Sequence, residues 1–487
     1  MKILFINPPD DVNSLLGHGA SLVTPLEPLG LLYIAASCRT FGHEVSFIDA
    51  HAEGLDENQL LLRIRENGPD VIGFTSFISN GGFLYTFGKR LKAELPNIVS
   101  IFGNVQAETY AHEFIQNGCC DIVVKGEGEY VIPNILKTLQ NENFNALKNI
   151  PGLVIHIDGD VVNTGHPETI EDLSGLPIPA RDLIIQDLYK KIAVSNFSLY
   201  KIPENKTIKH LFTSRGCVNR CDFCVVHKSR KIRLFPIETV LEEVDILLNK
   251  YNAGYIFFMD SLFTNNKKRV IQLCDALKTT FKDIKWGCEA HVNFIDSEIV
   301  KAMDASGCID MNFGIESGVD RLLAAINKRQ TTKQISNSIH MVKKVSDINC
   351  IGLFILGLPG ETPADTQETI DFAASLPLDM AQFSILTPYP GSPIFERLRA
   401  AGEIDDGIRN DGTIDCSVWH RYSAYASFSD NKPIWVTKEQ TPEQLLAFQK
   451  KALRQFYFRP RQVINQLRRM NLSDLPDIVR AAFKVFF

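Results

Sequence analysis

Short apolar runs alternate with stretches of helical periodicity in two successive series along the chain. In residues 1–145 the runs Lys2–Asn7, Glu44–Asp49, Asp70–Thr75, Ile98–Phe102 and Asp121–Val124 are each long enough for one strand. Between them lie segments of period near 3.6, among them Pro28–Phe41, with Pro28 expected in its first turn, and Tyr130–Leu139. Apolar strands divided by helices imply a parallel sheet covered on both faces. The expected first unit is an α/β, doubly wound, flavodoxin-like domain, whose ligand lies beyond the carboxyl ends of its strands.

Residues 146–205 read as a connector. It contains a hairpin, Val154-Ile-His-Ile-Asp-Gly-Asp-Val-Val162, with Asp158-Gly159 at the turn, and a Pro-rich crossing around Leu176–Arg181. The second series, 206–400, has six runs: Ile208–Thr213, Tyr255–Met259, Ile284–Glu289, Ile309–Gly314, Cys350–Leu356 and Ala381–Leu386. Six strands with helices between them suit an open (β/α)6 partial barrel, with chemistry at the carboxyl ends of its strands. Residues 401–487 form a mainly helical C-terminal region. From Lys450 on it carries nine basic residues against two acidic ones. Such a tail either docks on the barrel, the preferred reading, or lies peripherally on an anionic membrane surface.

Composition narrows the classes. With 487 residues, 45% hydrophobic and 22% charged, the chain can bury several cores. A net charge of −6 gives no case for nucleic-acid binding. No apolar run approaches the ~18 residues of a membrane helix. The start, Met1-Lys-Ile-Leu-Phe-Ile-Asn-Pro-Pro9, is too short in apolar residues for a secretion signal. Eleven cysteines, an odd number and scattered, do not make a disulfide framework; the expected compartment is a reducing cytoplasm.

Three of those cysteines are not scattered. Cys217, Cys221 and Cys224 fall in Thr213-Ser-Arg-Gly-Cys-Val-Asn-Arg-Cys-Asp-Phe-Cys224, on the loop after the first strand of the second series. Three thiolates can hold three irons of a [4Fe–4S] cube and leave the fourth open. The bland alternative is a structural zinc with His227 as fourth ligand, but no second C-x2-C pair follows downstream. The C-x3-C-x2-C string, with an aromatic before its last cysteine, resembles the radical S-adenosylmethionine (SAM) enzymes. The resemblance implies that the open iron binds SAM, which is reductively cleaved to a 5′-deoxyadenosyl radical. It also implies an electron donor such as flavodoxin or ferredoxin.

The resemblance runs through the whole second series. It implies that Phe223 packs beside the adenine, and that Asp260, in Phe258-Met-Asp-Ser-Leu-Phe263, faces the cofactor. Glu316 and Ser317, in Gly314-Ile-Glu-Ser-Gly318, would bond the ribose and methionine parts. Gly352, in the run Gly352–Glu361, would let the backbone approach the adenine. Thr387-Pro-Tyr-Pro-Gly-Ser-Pro393 looks typical of the cobalamin-linked branch; its Tyr389 is read as packing before substrate contact. A carboxylate at a strand end can also simply cap the next helix, and that reading stands beside each acid.

The first domain resembles the cobalamin-binding domains fused ahead of radical SAM barrels. The carrying residues are Asn7-Pro-Pro9, Pro28–Tyr33, Thr75 and Ser76, Gly103 and Asn104, and Gly126-Glu127-Gly128-Glu129, all after strand ends. Asn104 departs from the two glycines often seen there. Asp49-Ala-His-Ala-Glu-Gly54 spells D-x-H-x-x-G, the lower cobalt ligand string of other cobalamin domains. It follows the second strand rather than the first, so His51 is rejected as a ligand; His18 is better placed but lacks the pattern. The resemblance implies methylation of an unactivated carbon of a small-molecule or lipid substrate through methylcobalamin. The alternative is a cyclase, rearrangement or carbon–carbon coupling in which cobalamin gives no methyl.

Overall fold

The computed structural model describes residues 1–17, 25–189, 202–203, 205–228, 231–428, 431–460 and 462–464. The first sheet is built of β1 (Lys2–Asn7), β2 (Glu44–Asp49), β3 (Val71–Thr75), β4 (Val99–Gly103), β5 (Ile122–Val124), β6 (Leu153–Ile157) and β7 (Asp160–Asn163). Its order is β2-β1-β3-β4-β5-β6-β7, with the first five strands parallel. Ile3, Leu4, Phe5 and Ile6 are all fully buried, as a strand covered by helices on both faces requires. The chain reverses its direction of travel across the sheet at β1/β3, which opens a crevice beyond the strand ends.

Two sequence expectations are corrected here. Pro28 is the N-cap of the helix Leu29–Thr40 and not part of its first turn. The hairpin β6–β7 is no free connector, because β6 pairs antiparallel with β5 and extends the first sheet. Its turn residues Asp158 and Gly159 have φ of 53° and 94°, the left-handed pair that a tight two-residue hairpin turn demands.

The second sheet consists of β8 (Thr207–Leu211), β11 (Ala253–Phe258), β12 (Trp286–Ala290), β13 (Cys308–Glu316), β14 (Asn349–Leu356) and β15 (Met380–Ile385). All six are parallel and lie in chain order, an open half-barrel. A two-stranded ribbon, β9 (Ser214–Arg215) with β10 (Arg233–Leu234), ties together the two ends of the cysteine loop.

The C-terminal region touches both sheets. Trp419 packs against Tyr110 of the first domain, ring centres 5.1 Å apart and planes tilted by 58°. The helix Pro442–Tyr457, opened by a Thr441/Gln444 capping box, buries Leu445, Ala452 and Phe456 against the second core. Gln449 donates to the β15 carbonyl of Phe383 at 2.7 Å, so the helix covers the free edge of the sheet. The tail expected to dock or to touch a membrane starts at Lys450; its residue 461 and residues 465–487 lie outside the described residues. Among those described, no helix is long and apolar enough to cross a membrane.

A fully buried charge network fixes the two domains against each other. Arg181 bridges Glu27 (3.1 Å) and Glu243 (2.6 Å), while Lys209 on β8 binds the other oxygen of Glu27 at 2.5 Å. Two cations and two anions balance, and each side chain is at most 4% exposed. Burial penalises every member singly, so the network holds only while it is complete.

Candidate active site

A cavity of about 440 Å³ lies at the carboxyl ends of the first sheet's strands and is closed from the other side by the second domain. Its first-domain wall includes Thr75, Gly103, Asn104, Gly126, Glu127, Gly128 and Glu129, with Gly30, Leu31 and Tyr33 from the Pro28–Tyr33 segment; none of Asn7-Pro-Pro9 lines it. Ser76 is fully buried behind them, and its hydroxyl has no protein partner. The opposite wall is Phe212, Ser214, Arg215, Gly216, Met259 and Ser261, which lead directly into the cysteine loop.

The walls suit a large flat ligand. A Cβ on Gly30 would meet nothing within 4 Å, and one on Gly103 only the Val124 carbonyl at 3.9 Å. Both glycines therefore leave backbone open to the cavity. Asn104 takes φ 79° and ψ 172°, a conformation that is almost glycine's alone. Its side chain holds it there: the amide nitrogen donates to Thr75 Oγ1 (3.1 Å) and the amide oxygen accepts from Val105 N–H (2.7 Å).

Glu127 and Glu129 face protein cations. Arg215 donates to Glu127 at 3.1 Å and Glu129 at 2.5 Å, and Arg233 reaches Glu127 at 2.6 Å. The Arg215 guanidinium also sits 5.2 Å from the Tyr33 ring centre. Sequence reasoning missed Arg215, although it stands two residues before Cys217.

In the cysteine loop Cys221 is buried while Cys217 and Cys224 are half-buried. Burial pushes the Cys221 thiol up to about 11; Lys328 opposes that, and Cys224 and Cys217 add to it. Among the described residues no three His, Cys, Asp or Glu side chains converge on a single ion. The side chain of His227 lies outside the described residues.

Lys328 forms a buried ion pair with Glu316 at 2.7 Å and lies 5.9 Å from the Phe223 ring centre. Burial pulls Lys328 down, but Glu316 and the thiols outweigh it and leave its pKa raised. Glu316 itself has φ 67° at the end of β13, which turns its carboxylate away from the strand path. Lys328 follows twelve residues later with no local pattern to announce it.

Three expected site residues are placed differently. Asp260 is fully enclosed and accepts from Thr213 N–H (2.6 Å), Thr213 Oγ1 (2.5 Å) and Ser214 Oγ (2.6 Å). It braces the strand that leads to the cysteines rather than facing a ligand. The Ser317 hydroxyl is engaged by Thr369 Oγ1 (3.1 Å) and Val319 N–H (3.2 Å). The space beside Gly352 is filled by Leu378, Phe354 and Ile315, so that glycine admits core side chains. Tyr389 packs partly buried against the core cluster that joins first-domain residues such as Phe102 to Leu386 and Ile394. His51 accepts from Asp10 N–H at 3.3 Å within a short helix capped by Asp49. His18 lies outside the described residues.

Comparison with known proteins accords with this geometry. Residues 211–373 match the Radical SAM superfamily and residues 17–136 match the B12 binding domain. The chain is 32% identical, over 100% of its length and 99% of the relative's, to an uncharacterized methyltransferase, PH0819, of Pyrococcus horikoshii. It is 26% identical to the anaerobic magnesium-protoporphyrin IX monomethyl ester cyclase of Cereibacter sphaeroides, over 83% of this chain and 65% of that one. The fold is shared with the radical SAM methyltransferase TsrM of Kitasatospora setae: TM-score 0.68, 16% identity, 97% of this chain and 89% of that one.

The chain belongs to the radical SAM enzymes that carry a cobalamin-binding domain. Its cofactors are a [4Fe–4S] cluster, SAM and cobalamin, and its relatives include both methyltransferases and cyclases.

Proposed function

We propose that this enzyme transfers a methyl group from SAM, by way of cobalamin, to an unactivated carbon of a small-molecule or lipid substrate. One observation carries the reading. A single cavity has the glycine-bearing loops of the first sheet on one wall and the strand end leading to Cys217 on the other, which supports adjacent places for the two cofactors. Cobalamin supplies methyl-carrier chemistry and the SAM-bound cluster supplies hydrogen abstraction.

The chain's own part is holding and exclusion. Cys217, Cys221 and Cys224 would hold three irons. Glu316 and Lys328 offer an anion and a cation to the amino and carboxylate ends of SAM, and Phe223 offers a ring face. Gly30, Gly103, Thr75 and Asn104 would line the corrin. Phe212 and Met259 present apolar surface to the same space and keep water from reactive carbon. A flavodoxin or ferredoxin would supply electrons.

The test is anaerobic incubation of cluster- and cobalamin-loaded protein with methyl-labelled SAM, reductant and an extract of its host. A product carrying one labelled methyl, with 5′-deoxyadenosine formed alongside, is expected. A product that forms with 5′-deoxyadenosine but without label would instead identify a cyclase or rearrangement, the activity named for the Cereibacter relative.

A further inference from the structure

The cysteine loop has an inner and an outer side. Gly216 lines the cavity between the domains, whereas Val218 and Arg220 take no part in its wall. Both are exposed, Val218 at 42%, one directly after the half-buried Cys217 and the other directly before the buried Cys221.

Asp222 fixes what stands around them. Its carboxylate accepts from Asn327 Nδ2 (2.7 Å) and pairs with Arg397 (3.0 Å), and its backbone N–H donates to the Ile326 carbonyl. The loop is thereby joined to the end of the helix Asp320–Ala325 and to the helix Pro393–Ala400. Asn327 and Arg329 both take left-handed φ, 55° and 53°, and Lys328 between them is buried. That alternation sends Lys328 in toward the Cys221 and Cys224 thiols and leaves Arg329 exposed outside.

This outer face is positive on a chain whose net charge is −6. Arg220, Arg329 and Arg397 stand there against Asp222 and Glu396. Asp222 is only 14% exposed and is taken up by its two partners, while Arg397 stays 54% exposed. Among the described residues nothing pairs with the side chains of Arg220 and Arg329. Arginines around a small apolar contact are the composition of a protein interface rather than of an ordinary acidic surface.

We propose that the outer face of the cysteine loop, Val218 with Arg220, Arg329 and Arg397, is the docking surface for a small acidic one-electron carrier protein. One electron leaves a reduced flavin or iron–sulfur carrier, which is oxidised by one, and the cluster gains it. Electron transfer through protein weakens steeply with distance, and here the surface residues are bonded neighbours of Cys217 and Cys221. The inner side offers no such approach, because the two domains close over it. The charge of the whole chain repels an acidic partner, so the local arginines set both its choice and its orientation. The proposal rests on the cluster and not on methyl transfer.

The test uses protein loaded with cluster and cobalamin, and a reduced acidic flavodoxin as probe. Affinity is measured by isothermal titration, and cluster reduction by freeze-quench electron paramagnetic resonance. Dithionite, a small reductant that needs no docking surface, is the reference. In Arg220→Glu/Arg329→Glu, affinity and flavodoxin-driven reduction should fall by about tenfold or more at low salt, with dithionite-driven reduction unchanged. Added salt should slow flavodoxin with the unaltered protein and narrow its lead over the variant. Val218→Ser should weaken binding and keep its salt dependence. Lys282→Glu reverses an exposed charge before β12, at the opposite end of the strands, and should change neither rate.

Flavodoxin binding and reducing the double variant as well as the unaltered protein would overturn the proposal, as would an equal loss in Lys282→Glu. A matching loss with dithionite and in iron content would also overturn it, because both arginines would then be supports of the cluster. The labelled-methyl experiment run with a chemical reductant does not use this face, so the two can fail separately.

Discussion

Arg215 and Glu129 meet at 2.5 Å across the junction of the two domains, one at the strand end before the cysteine loop, the other beside the cavity's glycine-rich turn. The guanidinium is 15% exposed and the carboxylate 5%, so water does little to screen the pair. One arm of the fork takes Glu129 and the other Glu127, a geometry a lysine cannot reproduce.

Arg215→Gln should lower stability by about 2–4 kcal/mol, since it leaves the buried Glu129 without its cation and Glu127 with Arg233 alone. Arg215→Lys should recover less than half of that. Urea midpoints give the stability. Cobalamin affinity measured by visible absorption should fall with both variants, because the turn that lines the cavity loses its tie.

The buried network behaves as a unit. Glu27→Gln removes the shared partner of Arg181 and Lys209 and should cost about 3–5 kcal/mol. Arg181→Met should cost a comparable amount alone, but the double variant should fall well short of the sum. A double-mutant cycle from denaturant curves would read this directly. Additive losses would show that the four charges act separately.

Asn104 holds a backbone shape that glycine adopts freely. Asn104→Gly should relieve strain and leave stability unchanged or raised by up to about 1 kcal/mol, after the loss of two side-chain hydrogen bonds. Asn104→Ala keeps the strain, loses both bonds, and should destabilise by about 1–2 kcal/mol. Thermal melts of the two variants should therefore move apart.

Acid should weaken the fold through His291. Its Nδ1 accepts from Asn293 N–H at 3.2 Å, so Nε2 carries the proton facing the Lys328 carbonyl at 3.3 Å. Burial, and then the Lys328 charge, push its pKa down to about 4 from 6.5. The unfolded chain thus binds a proton that the folded one refuses, and stability falls as pH drops from 6.5 to 4. The single-site contribution is about 3 kcal/mol at the acid end of that window. His291→Gln should flatten this part of the stability–pH curve.

The alternation of apolar runs with helical periods determined both sheets. The six strands of the half-barrel and the five parallel strands of the first domain appear within two residues of their expected bounds, because most of them run through a buried core and the apolar pattern is local. The cysteine triplet and its position after β8 were equally legible, since spacing and strand end both lie in one short string. The sequence also marked the loops that line the cavity, as glycines and hydroxyls just past strand ends.

Tertiary structure decided which of those groups are already spoken for. Asp260, Ser317, Glu127 and Glu129 are committed to Thr213 and Ser214, Thr369, Arg215 and Arg233, partners that no window of sequence places beside them. Lys328 reaches Glu316 only because β13 and the turn after its following helix fold back together. Hydrogen bonding is satisfied in space rather than along the chain, so a sequence can name polar candidates but only packing shows which remain open.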